Sequence, residues 1–199
     1  MRRPMQATSS AMLLCALALA LAACSGSSTP KAVAITFKSP VVVDNTLPSH
    51  YTCDGADVSP PLEWGKVPAG TKELALFMLA LTPIHGTGQY STSVVWGLAG
   101  VNPSLHRIAA GELPPGAHLA YAANGKQTRY SVCPARGQKR AYQFALYVIP
   151  SSITVPARFV GIKLLEVIAN PESKYNNNVG GAFAATYERA VHRGAQTKG

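Results

Sequence analysis

Residues 51 to 64 read YTCDGADVSPPLEW, and the parsing of this stretch decides how the rest of the chain is laid out. Asp54-Gly55 and Asp57 are turn chemistry, in which an aspartate side chain bonds to its own backbone and glycine accepts angles other residues avoid. Ser59-Pro60-Pro61 then steers the chain toward a strand entered at Leu62. At the head of the turn stands Cys53, in a chain with four cysteines in all.

The N-terminus decides which residues belong to the working protein. Arg2 and Arg3 precede the apolar run AMLLCALALALAA, residues 11 to 23, the layout of a bacterial export signal. The run is short for a membrane-spanning helix, which needs about 20 residues. It closes in Leu21-Ala22-Ala23-Cys24, similar to the lipobox of bacterial lipoproteins, where the cysteine becomes the lipid-bearing first residue. The expected organisation is a signal peptide over 1–23, a lipidated flexible tether over 24–32, one folded domain over 33–192 and a tail over 193–199. The chain is expected to be exported and anchored through lipid on Cys24, facing the periplasm or the cell exterior. An uncut anchor and an ordinary signal with a stray cysteine are the competing readings.

Cleavage before Cys24 leaves 176 of the 199 residues, enough for one domain with a real core. Losing Arg2 and Arg3 takes the 18 basic residues to 16 against 9 acidic ones, a net charge of +7. That balance suits anionic lipid, cell-wall polymer or a phosphorylated ligand, and export argues against nucleic acid. Cys15 leaves with the signal, so Cys53 and Cys133 remain. In an exported protein they are expected to pair, with two buried thiols as the alternative. Closing a loop of that length is worth about 4.5 kcal/mol in the chain-entropy picture.

Most of the chain reads as β. VAITFK (33–38) alternates with Val33, Ile35 and Phe37 on one face, as a half-buried strand does. ELALFMLAL (73–81) is apolar on both faces and suits a central strand covered on both sides. SVVWGL (93–98), HLAYAA (118–123), TRYSVC (128–133), AYQFALYVI (141–149) and GAFAATYER near the end are further strands. DGAD, VPAG, NPS, LPPG and NGK supply the reversals between them. One helix is expected over 156–169, PARFVGIKLLEVIA, with Pro156 in its first turn and Gly161 weakening it. ESKYNNNVGG after it reads as an exposed loop.

The search for chemistry is mostly negative. His50, His85, His106, His118 and His192 show no H-x-E or H-x-x-x-H spacing, and no cysteine pair has metal-ligand spacing. No G-x-S-x-G elbow is present. Gly86-Thr87-Gly88 lacks the lysine and helix of a phosphate loop and reads as a flexible loop. Asp54 and Asp57 read as turn formers rather than an acid/base pair. No enzyme activity, cofactor or metal is therefore expected.

The same opening stretch closely resembles the CDG-x-x-x-SP-x-L-x-W signature of the phosphatidylethanolamine-binding protein family, in its bacterial Raf-kinase-inhibitor-like branch. The likeness continues through VPAGTKELALFML, VVWGLAGV, YSVCPARG, RAYQFALYVI and FAATYER, covering most of residues 36 to 190. The resemblance implies a mainly β fold, a β-sandwich with a few peripheral helices. It also implies one small anion-binding pocket at the surface, in a family better known for binding and inhibition than for catalysis. The CDG turn and the Cys-Pro loop flank that pocket in the family, so a Cys53–Cys133 bridge would pin its rim.

The pocket residues depart from the family pattern. Where relatives carry Asp-Pro-Asp-Ala-Pro, this chain has Leu79-Ala80-Leu81-Thr82-Pro83, and only Pro83 remains, expected to follow a cis bond as in the family. The histidine before the Val-Val strand falls on Thr92. The Gly-Pro-Cys-Pro-Pro loop has become Ser131-Val132-Cys133-Pro134-Ala135, the histidine of His-Arg-Tyr aligns with Arg140, and Tyr142 keeps the family's tyrosine. Pro83, Thr92, Ser131, Val132, Arg140 and Tyr142 are accordingly the candidate ligand-binding residues.

Basic residues Lys126, Arg129, Arg136, Lys139 and Arg140 surround the Cys133 loop, with no acidic residue between Glu112 and Glu166. A solvated basic face explains this run as well as a site does. With the two pocket aspartates replaced by leucines, the expected ligand has an anionic head and an apolar part. The second reading is a module that binds an envelope protein through exposed loops such as 84–91 or 170–181, without a small ligand.

Overall fold

The strand Thr71–Ile84 (β4) organises the molecule, because its run of apolar residues is buried from Leu74 to Ala80 without a break. A strand apolar on both faces needs a cover on each. The computed structural model, which describes residues 33–169 and 179–191, shows both covers. Leu74, Leu76, Met78 and Ala80 face one core, and Ala75, Phe77 and Leu79 face another.

Around β4 lies a six-stranded sheet built from Val33–Ala34 (β1), β4, Gln89–Val101 (β5), His118–Leu119 (β7), Lys139–Pro150 (β8) and Val179–Glu188 (β9), in the order β1-β9-β8-β4-β5-β7. A three-stranded sheet of Phe37–Lys38 (β2), Leu62–Trp64 (β3) and Arg107–Ile108 (β6) packs over its even-numbered β4 face. Phe37, Leu62, Trp64 and Ile108 from the small sheet meet Trp96, Leu98, Phe144 and Leu146 from the large one. The opposite face is covered by the helix Gly161–Ile168 (α1), through Leu164, Leu165 and Ile168, together with Phe159 and Ile153. The mainly β sandwich expected from the sequence is the fold observed, with one α-helix and a single 3-10 turn, Ser49–Tyr51, among the described residues.

Several elements differ from expectation. VAITFK does not form one strand. β1 pairs with β9 in the large sheet and β2 with β3 in the small one, so the chain changes sheets at Ile35-Thr36. Gly181 permits the crossing, since a Cβ there would press on the Ile35 carbonyl and the Phe37 Cβ. The helix starts at Gly161 rather than near Pro156, because Phe159–Gly161 is held extended against Tyr121. The Tyr121 N–H donates to the Phe159 carbonyl at 2.8 Å, and the Gly161 N–H to the Tyr121 carbonyl at 3.0 Å. Gly161 itself allows close approach, as a Cβ would lie 3.0 Å from Val94 Cγ1 and 3.2 Å from the Ala120 Cβ.

HLAYAA contributes only β7 before leaving the sheet, and residues 128–133 form no strand. The Thr128 hydroxyl and N–H both turn back to the Ala120 carbonyl instead. Residues 85–88 are the tight reversal between two long strands, since β4 and β5 stay paired out to Ile84 and Gln89. His192 and residues 170–178 lie outside the described residues.

Candidate functional site

Cys53 and Cys133 are joined, with Cα atoms 5.3 Å apart across a sequence separation of 80. The bridge ties the CDG turn to the loop 131–136, and the Cys53 N–H donates to the Val132 carbonyl at 3.2 Å beside it. Asp54 adds a second tie. It accepts the Tyr187 hydroxyl at 2.7 Å on Oδ2 and Arg189 Nε at 3.0 Å on Oδ1, while Arg189 also reaches the Pro134 carbonyl. The Tyr187 hydrogen bond, aided by the Arg189 guanidinium, holds the Asp54 carboxyl below its usual range. Neither the Asp54–Tyr187 pair nor Arg189 stands out in the sequence, where the closing TYER run reads as a strand and as part of the family likeness but not as a partner of the CDG turn.

Asp57 sits three residues on with φ 51° and accepts the Ser131 hydroxyl at 3.1 Å on Oδ2, with Arg129 3.9 Å away. Tyr130 between them donates to the Tyr51 carbonyl at 3.0 Å and sets its ring edge-on to Trp96. Burial pushes its phenol pKa well up.

The six candidate binding residues do not converge on one cavity. Arg140 and Pro83 do meet, at the end of the large sheet where β4 and β8 finish. There the Arg140 Nη2 donates to Thr82 Oγ1 at 3.3 Å, and a groove of about 470 Å³ is lined by Leu81, Thr82, Pro83, Tyr90, Gln138, Lys139, Arg140, Ala141 and Thr186. Its lining has two cations and no carboxylate. The peptide bond before Pro83 is trans, since no cis bond occurs among the described residues; the stretch aligned with Asp-Pro-Asp-Ala-Pro is regular strand.

Tyr142 is two residues from Arg140 on the same strand face, but only 2% exposed, and burial raises its pKa. Val132 is fully buried, and Ser131 faces Asp57. Thr92 pairs with Leu81, which continues the Ala75–Phe77–Leu79 face toward the helix side, whereas Arg140 and Tyr142 continue the opposite one. Thr92 lines a separate depression with Leu81, Tyr90, Gln143, Ala182 and Ala184. Of the two leucines that stand where relatives carry aspartates, Leu81 lines the groove, but Leu79 is 4% exposed in the helix-side core. Sequence reading missed Thr82, Tyr90, Gln138, Lys139 and Thr186, which reach the groove from β4, β5, β9 and the start of β8. Among the described residues no cluster of three or more metal-ligating side chains is present.

A two-sheet sandwich with a bridged rim and a basic groove at one end defines a β-sandwich binding protein. The chain belongs to the phosphatidylethanolamine-binding protein family, whose model matches residues 37–184. It is 33% identical over 153 residues to a Mycobacterium tuberculosis protein named as a provisional lipoprotein, LppC, covering 76% of this chain and 73% of that one. A UPF0098 protein of Mycobacterium bovis is 30% identical over 162 residues, 80% of this chain and 73% of its own length. Among solved structures, Escherichia coli YbcL, described as a member of the mammalian PEBP family, aligns with a TM-score of 0.57 at 22% identity, over 77% of this chain and 98% of its own. A provisional family homologue from Chlamydia trachomatis aligns with a TM-score of 0.61 at 22% identity, over 78% and 98%. These likenesses confirm the fold.

Proposed function

We propose that this protein is a lipid-anchored extracytoplasmic binding protein that holds a small anionic or lipid-derived ligand in the groove at Arg140. The observation that supports it is the groove's composition: Lys139 and Arg140, the latter beside the Thr82 hydroxyl, in a lining that also includes Tyr90, Thr186, Leu81 and Pro83 and no acidic residue. A guanidinium held by one hydroxyl keeps further N–H donors for a phosphate or carboxylate, which it engages in a two-point contact. Leu81, Pro83 and the Tyr90 ring offer the apolar surface for the rest of such a ligand. The lipoprotein name of its relative LppC supports the anchor.

Calorimetry with phosphate, acyl phosphate and phosphoethanolamine compounds tests the reading. Binding of an anionic compound should weaken by tenfold or more in Arg140→Ala, the loss of one charge-assisted contact worth about 1.5–3 kcal/mol. Equal binding by wild type and variant would refute it. The second reading, a protein-interaction module without a small ligand, draws on the exposed apolar side chains at the β4–β5 tip, Ile84 and Tyr90.

A further inference from the structure

A cleft of about 200 Å³ opens between residues 57–59 and 111–113, and it shares no lining residue with the Arg140 groove. Both of its walls are fastened. The Gly111 N–H donates to the Ser59 carbonyl at 3.0 Å and to the Ser59 hydroxyl at 3.2 Å, while the Ala109 N–H donates to Glu112 Oε2 at 2.8 Å. Buried Trp96, Leu98 and Tyr130 and half-exposed Leu113 give the cleft apolar surface. Its charged lining consists of Asp57, Glu112 and Arg129, two carboxylates to one cation, in a chain that carries 18 basic residues against 9 acidic ones. Arg129 does little to neutralise Asp57: the two side chains are 3.9 Å apart and the arginine is 87% exposed, where an ion pair is worth little. Asp57 Oδ2 accepts the Ser131 hydroxyl, but Oδ1 is buried and meets no hydrogen-bond partner among the described residues. A buried carboxylate oxygen left unpaired is costly and calls for a donor.

We infer that this cleft is a second ligand site, which takes a small organic ammonium ion with its charge at Asp57 and its apolar stem against Trp96 and Tyr130. An ammonium group supplies the donor that Asp57 Oδ1 lacks, and the broad two-fold χ2 of a carboxylate lets that oxygen turn to meet it. A hydrogen bond between two ionised partners is about twice as strong as a neutral one. Glu112 on the facing wall adds negative potential, and the aromatic rings favour a cation nearby. The volume is below the roughly 300 Å³ at which pockets for drug-sized ligands begin, so the stem is a short chain or a single ring. The Arg140 groove, with two cations and no carboxylate on its lining, selects the opposite charge. The two sites are therefore independent, and this one does not rest on the function proposed for the other.

NMR titration of the full chain at neutral pH tests the site with three compounds of one length: n-butylamine, n-butanol and butyrate. The amine should shift the Trp96 indole N–H and the Leu113 methyls saturably, and the alcohol and the carboxylate should bind about tenfold or more weakly. Asp57→Asn should weaken the amine to the level of the alcohol. Asparagine also tolerates the left-handed backbone of position 57, φ 51°, and keeps an oxygen for the Ser131 hydroxyl. Glu112→Gln should weaken it less, and Arg140→Ala not at all. The compound series needs no variant, so it decides the matter even if Asp57→Asn fails to fold. Four results overturn the inference: no saturable shift with the amine, equal binding of the alcohol or butyrate, a folded Asp57→Asn that binds the amine like wild type, or a loss in Arg140→Ala that places the amine in the groove instead.

Discussion

Tyr187, near the end of the last strand, donates its hydroxyl to the Asp54 carboxylate at 2.7 Å, joining residues 133 positions apart. With Arg189 on the other oxygen, the pair fastens the CDG turn to the strand β9 that closes the sheet. Because these partners hold the Asp54 pKa below its ordinary 3.8, the folded state favours the ionised form. The stabilisation is fully present above pH 3.8 and is lost as pH falls through the lower folded value. Asp54→Asn should therefore lower Tm at neutral pH, and the gap to wild type should close as pH falls below the ordinary aspartate range. A gap independent of pH in thermal melts would assign the loss to packing rather than to charge.

The bridge makes a separate prediction. Non-reducing peptide mapping should recover Cys53 linked to Cys133, and the double variant Cys53→Ser/Cys133→Ser should lose about 2–5 kcal/mol in denaturant melts, the usual cost of removing a native disulfide. Both thiols alkylating freely in unfolded, unreduced protein would exclude the bridge.

Gly181→Ala tests the chain crossing. A Cβ at this position meets the Ile35 carbonyl and the Phe37 Cβ, backbone and packed core rather than a movable side-chain end. The variant should be destabilised by far more than the roughly 0.4–1 kcal/mol that Gly→Ala gains at permissive sites. Amide exchange should speed up at Ile35, whose N–H bonds to the Gly180 carbonyl. A neutral or stabilised variant would show that β1 is not held there.

The fold was legible because its signals are local and strong. The two-faced apolar run of β4 announced a doubly covered central strand, and the CDG turn with Ser-Pro-Pro and Trp64 fixed the entry into the small sheet. The short elements were not legible, because alternation alone does not tell one strand from two. At VAITFK, Ile35 and Phe37 sit in one core, yet their flanks pair in different sheets. The site was harder still. Alignment places Thr92 beside Arg140, but a register shift between β4 and β5 at Met78/Leu79 and unbroken pairing to the hairpin tip put the two on opposite faces. Facing is a property of register, and register is set by partners far away in sequence. Thr82, Tyr90 and Thr186 are ordinary strand residues that become groove lining only because β9, β8, β4 and β5 lie side by side in the large sheet.

β1 begins at Val33, paired with Val179 at the start of β9, whereas Lys139 pairs with Glu188 at the other end of that strand. The entry point of the chain and the Arg140 groove thus lie at opposite ends of the large sheet, about 30 Å apart over the nine steps of β9. The nine residues 24–32 span at most about 30 Å when fully extended. A domain tethered by Cys24 would then present the groove away from its own bilayer, to ligands arriving from the surroundings. Cys24→Ala should move the protein from the membrane to the soluble fraction or block signal cleavage, since stable attachment needs more than one acyl chain or a second signal and the described residues include no helix long and apolar enough to cross a membrane. The released domain should bind an anionic, water-borne ligand as tightly as the anchored one, with Arg140→Ala weakening both alike. If Cys24→Ala leaves membrane association and mass unchanged, the anchor is elsewhere. If release alone abolishes binding of the same soluble compound, the groove works against its own membrane, and the placement of Arg140 at the far end of β9 does not govern access.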